Sequence, residues 1–354
     1  MQVFIKSASS ISPQKTFGQS SFLTEPVEYA GKKLTCIEPD YSGIIDSKLI
    51  RRMSRIIKMG VAAAAASLKE AKITMPDAII TATAYGCLED TEIFLKKMIQ
   101  NKEEMLSPTA FIQSTHNTVG AQIALMLKCH NYNNTFVNRG FSFESAILDA
   151  ILMLQENENN HVLAGAADEI IDTSHSILSR FGLYKNEPVS NFDLLQSGTK
   201  GTMNGEGATF FVLTNQASKE NQAALDAIST FYKPQSITET EKNILSFLKE
   251  QSTDINEIDI IITGKNGDSR GDEIYERLSH SVFKTKKQVH YKHLCGEYPT
   301  STAFALWVAI KILKHQSIPS ILGMNSDSGK PIKRILIYNH HQNLHHSLFL
   351  LSAC

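Results

Sequence analysis

The stretch MNGEGATFFVL, residues 203–213, sets a Gly-Glu-Gly turn directly against an unbroken apolar run. Such a run, bounded by turn residues, reads as a strand buried on both faces. Outward from it, similar runs stand at 78–82, 135–137, 161–164, 258–263, 288–290, 334–338 and 347–351, with an alternating strand at 2–6. Helical periodicity fills the gaps at 47–71, 90–100, 118–127, 142–154, 240–251 and 300–313. The 118–127, 142–154 and 300–313 segments are largely apolar and are expected to be buried. Alternating strands and helices predict an α/β fold with helices covering sheets. TFVNRGFSFESAILDA and VHYKHLCGEYPTSTAFAL share one design: a strand, a Gly-bearing turn and a helix rich in small residues. That echo predicts two similar halves, residues 1–200 and 201–354, with the polar 186–204 segment crossing between them.

The chain has 354 residues, 42% of them hydrophobic, ample for a large core. Lys+Arg number 35 against 36 Asp+Glu, so no global positive field argues for nucleic acid. No apolar run is long enough to span a bilayer, and MQVFIKSASSI lacks the order of a secretory signal. Cys36, Cys87, Cys129, Cys295 and Cys354 form no CxxC pair, which fits reduced thiols in a cytoplasmic protein.

Several segments, in order, carry a family resemblance. GEGA at 205–208 enters a strand. Upstream, LSPTAFIQSTHNTVGAQIALMLKCHNYNNTFVNRGFSFESAILDA (106–150) runs from a Ser-Pro turn through an Asn117-bearing helix to a tight elbow at Asn138-Arg139-Gly140-Phe141-Ser142. Downstream stand DINEIDIIITGKNGDSRGD (254–272), Lys292-His293-Leu294-Cys295-Gly296-Glu297 and YNHHQNLHHS (338–347). Together these resemble the β-ketoacyl synthases. The resemblance implies a thiolase fold, layered α/β/α/β/α with two pseudo-duplicated halves. It places the family's nucleophilic cysteine at Gly140 and its two histidines at Gly264 (Thr263 if the register slips) and Glu297, while Lys292 is retained. The Phe-bearing, glycine-rich gate turn is replaced at 338–347.

Ketosynthase condensation needs a thiolate to hold the acyl chain and two imidazoles to stabilise developing charge. Glycine supplies neither, and a carboxylate at 297 opposes an enolate. The pattern resembles the chain length factor of aryl polyene and flexirubin systems. That resemblance implies a non-catalytic subunit paired with an active ketosynthase, fed by an acyl carrier protein and needing no cofactor. It puts Thr109, Phe111, His116 and Asn117 at the tunnel and dimer interface, with ordinary core as the other reading of Phe111. Gly205, Glu206 and Gly207 form a structural turn, its carboxylate accepting backbone hydrogen bonds. Other readings stand beside this one. Cys295 with His293 or His116 would make a relocated catalytic pair. His340, His341, His345 and His346 would bind a metal or sit exposed in a turn. Arg139 and Glu144 would form a space-filling ion pair, and Asp168 and Glu169 would occupy a plain strand-end loop.

Overall fold

The computed structural model describes residues 2–19, 21–156, 161–323 and 330–354. Ten strands join in one hydrogen-bonded sheet. From one edge it runs Tyr132–Phe136, Ala78–Ala82, Val162–Asp168, Gly207–Thr214, Val3–Ile11, Ala223–Tyr232, His345–Ser352, Arg334–His341, Ile260–Thr263 and Lys287–His290. Read inward from its own outer edge, each set of five strands follows the same order, 3-2-4-5-1 in chain sequence. Each unit has two parallel pairings and then two antiparallel ones. The two half-sheets join edge to edge where Val3–Ile5 pairs with Ala223–Leu225. Gly207–Thr214 pairs with Val162–Asp168 and Val3–Ile11, so it closes the first unit. Gly207–Thr214 therefore closes the half-sheet of the first unit and Ala223–Tyr232 opens that of the second, while the 186–204 segment touches the second unit, Asn191 donating to the His293 carbonyl and Thr199 accepting from the Ser269 N–H.

The core explains the layering. One cluster joins the inner faces of both half-sheets through two helices, Ser142–Glu156 and Thr302–His315, represented by Phe143, Ile147, Phe304 and Val308. A second packs Arg55–Ala71 and Thr118–Leu127 on the outer face of the first unit. A third packs Ile237–Glu250 and Ser269–His280 on the outer face of the second. The result is helix, sheet, helix, sheet, helix, as the resemblance implies. The Ala-rich run at 61–66 lets the Arg55–Ala71 helix lie close on its sheet, because small side chains keep the packing distance short.

Two local expectations change. The 47–71 helix is broken: Ser47–Ile50 and Arg55–Ala71 are separate. The helices at Thr118–Leu127 and Ser142–Glu156 are buried on one side only. Leu125 is 69% and Leu152 is 52% exposed. No helix among the described residues is long and apolar enough to cross a membrane.

Candidate functional site

Gly140 is buried in the short turn Arg139–Phe141, at the entry to the Ser142–Glu156 helix. A Cβ there would lie 2.8 Å from the His341 Cβ and 2.9 Å from the His345 Cβ. Carbon atoms pack at about 3.5–4.0 Å, so the position has no room for any side chain. The left-handed residue of the turn is Arg139, φ 48°, whose side chain is exposed. The two histidines arrive on facing strands of the Arg334–His341/His345–Ser352 hairpin, where they are direct partners.

His341 leads to the centre of the site. Its Nδ1 lies 3.0 Å from Glu297 Oε1, and Lys292 Nζ lies 2.6 Å from Glu297 Oε2. Asn266 Nδ2 donates to the same Oε2 at 2.6 Å, and Lys292 also donates to the His340 carbonyl at 3.2 Å. Burial acts to raise the Glu297 pKa, but Lys292 and then His341 outweigh it and hold it at about 2. The carboxylate is therefore ionised and can only accept, which assigns the His341 proton to Nδ1. The negative charge that sequence reasoning set against an enolate is neutralised in place by Lys292. Gly296 permits the arrangement: with φ 77° it lies backbone to backbone on Gly205, where a Cβ would come 2.4 Å from Gly205 Cα. The turn is then pinned by Glu297 N–H to Met203 O and Gly205 N–H to Glu297 O.

At Gly264 a Cβ would meet Asn339 Oδ1 at 2.1 Å and Tyr275 OH at 2.6 Å. Asn339 is itself tied to Tyr291 and Thr302. Thr263 donates to or accepts from His290 Nδ1 at 2.6 Å, away from Glu297. What remains open is a cleft of about 50 Å³ lined by Tyr85, Tyr184, Asn266, Glu297, His341 and Gln342, among others. That volume holds a few waters, not an acyl chain.

The remaining expected residues fall into place around this centre. Glu206 is fully buried and accepts from the backbone N–H groups of Cys36 and Ile170, as its place in the turn suggested. It is also clamped by Arg55 through both terminal nitrogens, a partner the sequence reading missed. Asp168 and Glu169 are buried, not in a plain loop. Asp168 accepts from Thr83, Ala84, Tyr85 and Thr300, tying the first unit to the start of the second unit's central helix. Thr109, Phe111, His116 and Asn117 are all exposed, so Phe111 is not core. The His116 ring lies over Gly86, next to the cleft residue Tyr85.

Three alternatives are corrected. Cys295 is fully buried, with burial pushing its thiol well above the usual range. His293 Nε2 faces the Ile321 carbonyl instead of the sulfur. His340, His341, His345 and His346 are buried, not exposed in the turn; burial holds His340, His345 and His346 below the ordinary imidazole range. Among the described residues no group of His, Cys, Asp and Glu is set to hold a metal. Arg139 and Glu144 do not pair: Arg139 faces outward while Glu144 is fully buried with neither carboxyl oxygen hydrogen-bonded. Burial pushes the Glu144 carboxyl up to about 7, against the opposing influence of Thr302, Ser347 and Lys292.

In sequence, residues 38–244 match the β-ketoacyl synthase N-terminal domain. No curated protein matches the chain. Its fold is similar to the ishigamide ketosynthase/chain length factor, at 17% identity and TM-score 0.81, covering 100% of this chain and 99% of that one. It is also similar to a β-ketoacyl synthase from Burkholderia phymatum, at 13% identity and TM-score 0.77, over 100% and 99% of the two chains. A third similar structure is a ketosynthase in complex with its chain length factor from Xenorhabdus doucetiae, at 13% identity and TM-score 0.74, over 100% and 98%. At such identities the likeness establishes the fold alone.

Proposed function

The chain belongs to the β-ketoacyl synthase family, and from that premise we propose that it is a chain-length-factor-like subunit: it pairs with a cysteine-bearing ketosynthase, shapes the acyl tunnel and carries out no condensation itself. One observation carries the reading. Gly140 has no space for a nucleophile, because His341 and His345 already occupy it. The other two family positions support it, since Gly264 is backed by Asn339 and Tyr275 and Glu297 is locked to Lys292. A damaged enzyme would leave cavities where catalytic groups were lost; here the space has been refilled with interlocking side chains.

The surface supports a partner. The edge strand Tyr132–Phe136 is uncharged and nowhere fully buried, with Tyr132 and Asn133 exposed, an open template for strand pairing. The helices flanking it leave Leu125, Leu148 and Leu152 uncovered, and Ile93, Ile99, Phe111 and Ile112 are exposed on the Leu88–Gln100 and Pro108–Gln113 helices. In this reading Thr109, Phe111, His116 and Asn117 contribute to a tunnel wall completed by the partner. Solved relatives include a ketosynthase bound to its chain length factor and a type II polyketide synthase ketosynthase bound to its acyl-carrier protein. We take the same two kinds of partner for this chain, in polyketide, aryl polyene or related acyl-chain synthesis, and place it in the cytoplasm.

Co-expression with a cysteine-bearing ketosynthase from the same host tests this. The expected result is a stable one-to-one complex with condensing activity, and a chain that takes up no acyl group alone. Failure of every such ketosynthase to co-purify, or an acyl adduct on the isolated chain, would sink the reading.

A further inference from the structure

The cleft beside Glu297 is plugged against an acyl chain, yet it is not chemically inert. Glu297 is ionised and accepts the His341 Nδ1 proton, so in the neutral ring it is Nε2 that carries the lone pair. His341 Nε2 has no hydrogen-bond partner among the described residues, is not sealed from solvent, and belongs to a residue lining the cleft. Lys292 and Asn266 hold the far carboxylate oxygen, so the carboxylate and imidazole are fixed in one orientation. Tyr85 and Tyr184 line the same cleft, and no protein group among the described residues hydrogen-bonds either hydroxyl. Burial raises the pKa of both, that of Tyr85 to about 12, so each phenol keeps its proton and can donate. A base oriented by a carboxylate, two free O–H donors and room for water are the parts of a hydrolytic site.

We propose that this cleft hydrolyses short acyl thioesters, with His341 activating water, Glu297 and Lys292 positioning it, and Tyr85 and Tyr184 receiving the carbonyl oxygen. His341 Nε2 takes a proton from water as the water oxygen bonds to the acyl carbon. The negative charge on the former carbonyl oxygen is met by the two phenols. The C–S bond then breaks, the thiolate leaves with the proton from His341, and the products are a carboxylic acid and a thiol. A cleft of about 50 Å³ excludes a grown chain, so its substrates are confined to the smallest acyl groups, presented at the cleft mouth with only the carbonyl entering. The choice of thioester rests on the reading of the chain as a subunit served by a carrier protein. In that setting the site would clear stalled short acyl groups and spare the elongated product.

The test uses the purified full chain with acetyl- and decanoyl-N-acetylcysteamine, following thiol release across pH. Release from the acetyl thioester above the buffer rate is expected, with little from the decanoyl. His341→Gln should lower it by about 10²-fold, the scale of a general base. Tyr85→Phe, a half-exposed change that keeps the ring, should lower it several-fold if His341→Gln fails to fold. Glu297→Gln should depress the rate and shift the pH profile, which a merely structural role would not do. No release, or His341→Gln and Tyr85→Phe both at the parent rate, overturns the proposal. Co-purification of the same variants with the ketosynthase is scored separately, so loss of hydrolysis and loss of pairing are distinguishable.

Discussion

A cysteine returned to position 140 would have to displace His341 and His345, whose Cβ atoms lie 2.8 and 2.9 Å from the new Cβ. Gly140→Cys should therefore cost about 1–3 kcal/mol, the range for overpacking a tight core. It should also remain unacylated; a lower denaturant midpoint and an unmodified mass check the two halves of that statement. Glu297→Ala removes the partner of a fully buried Lys292, and breaking a buried pair costs about 3–5 kcal/mol. The two buried carboxyls give opposite pH signatures. Glu297 is held at about 2, below its unfolded value of 4.5, so its contribution is present above pH 4.5 and is lost as pH falls through 2. Glu144 is raised from 4.5 to about 7, so its contribution is present below pH 4.5 and is lost as pH rises through 7. The buried histidines, held below the ordinary imidazole range, add stability as pH rises to 6.5, so the Glu144 effect is read as a difference: in urea melts the stability of Glu144→Gln relative to the parent should rise between pH 4.5 and 7. An unchanged slope in that variant would show that Glu144 is not the group responsible. Glu169, pushed by burial up to about 8, acts in the same direction in both proteins. The losses at Gly140, Gly264 and Glu297 are legible in the chain because each is a missing side chain at an aligned position. What replaces them is not, because His341 and Glu297 meet only through the fold and residue identity says nothing of that geometry. Tyr85 and Tyr184 reach the cleft from loops and carry no motif at all.

At the scale of elements, periodicity locates most strands and helices, since buried runs and 3.6-residue repeats are local signals. It does not say which side of an apolar helix is covered. The Ser142–Glu156 helix was expected to be buried because it is apolar around most of its circumference, and it is indeed central. Leu148 and Leu152 nevertheless emerge beside the Tyr132–Phe136 edge. Under the proposed pairing this apolarity serves a contact with the ketosynthase, and a sequence cannot distinguish a core from an interface. The prediction that belongs here is Leu152→Glu: unchanged thermal stability, because the side chain is 52% exposed, but about 2 kcal/mol weaker pairing with the ketosynthase. Titration of labelled partner measures it. The buried histidines of the hairpin illustrate the reverse error. Polar residues in a turn-like sequence predict exposure, yet His345 is the direct cross-strand partner of His341 and of Tyr232, and packing covers all four histidines.

At the scale of the molecule, the repeated 3-2-4-5-1 order leaves one sheet with two unlike edges. The Lys287–His290 edge is half-buried and follows Lys284 and Lys286, and lysines at a sheet margin discourage further pairing. The Tyr132–Phe136 edge has no charged residue and is bordered by exposed leucines. A fold built from two equivalent units would offer two equivalent edges, so the asymmetry is a property of this sequence, and under the proposed pairing it directs the ketosynthase to the first unit. Exposed backbone N–H groups exchange with solvent until a new strand takes them. Adding the ketosynthase should therefore slow amide exchange across Tyr132–Phe136 by at least about tenfold, the change that 1.4 kcal/mol of added protection brings. The Lys287–His290 amides should keep their rates. Equal protection at both edges would mean a partner that does not read the asymmetry, and protection confined to Lys287–His290 would put the interface on the other unit.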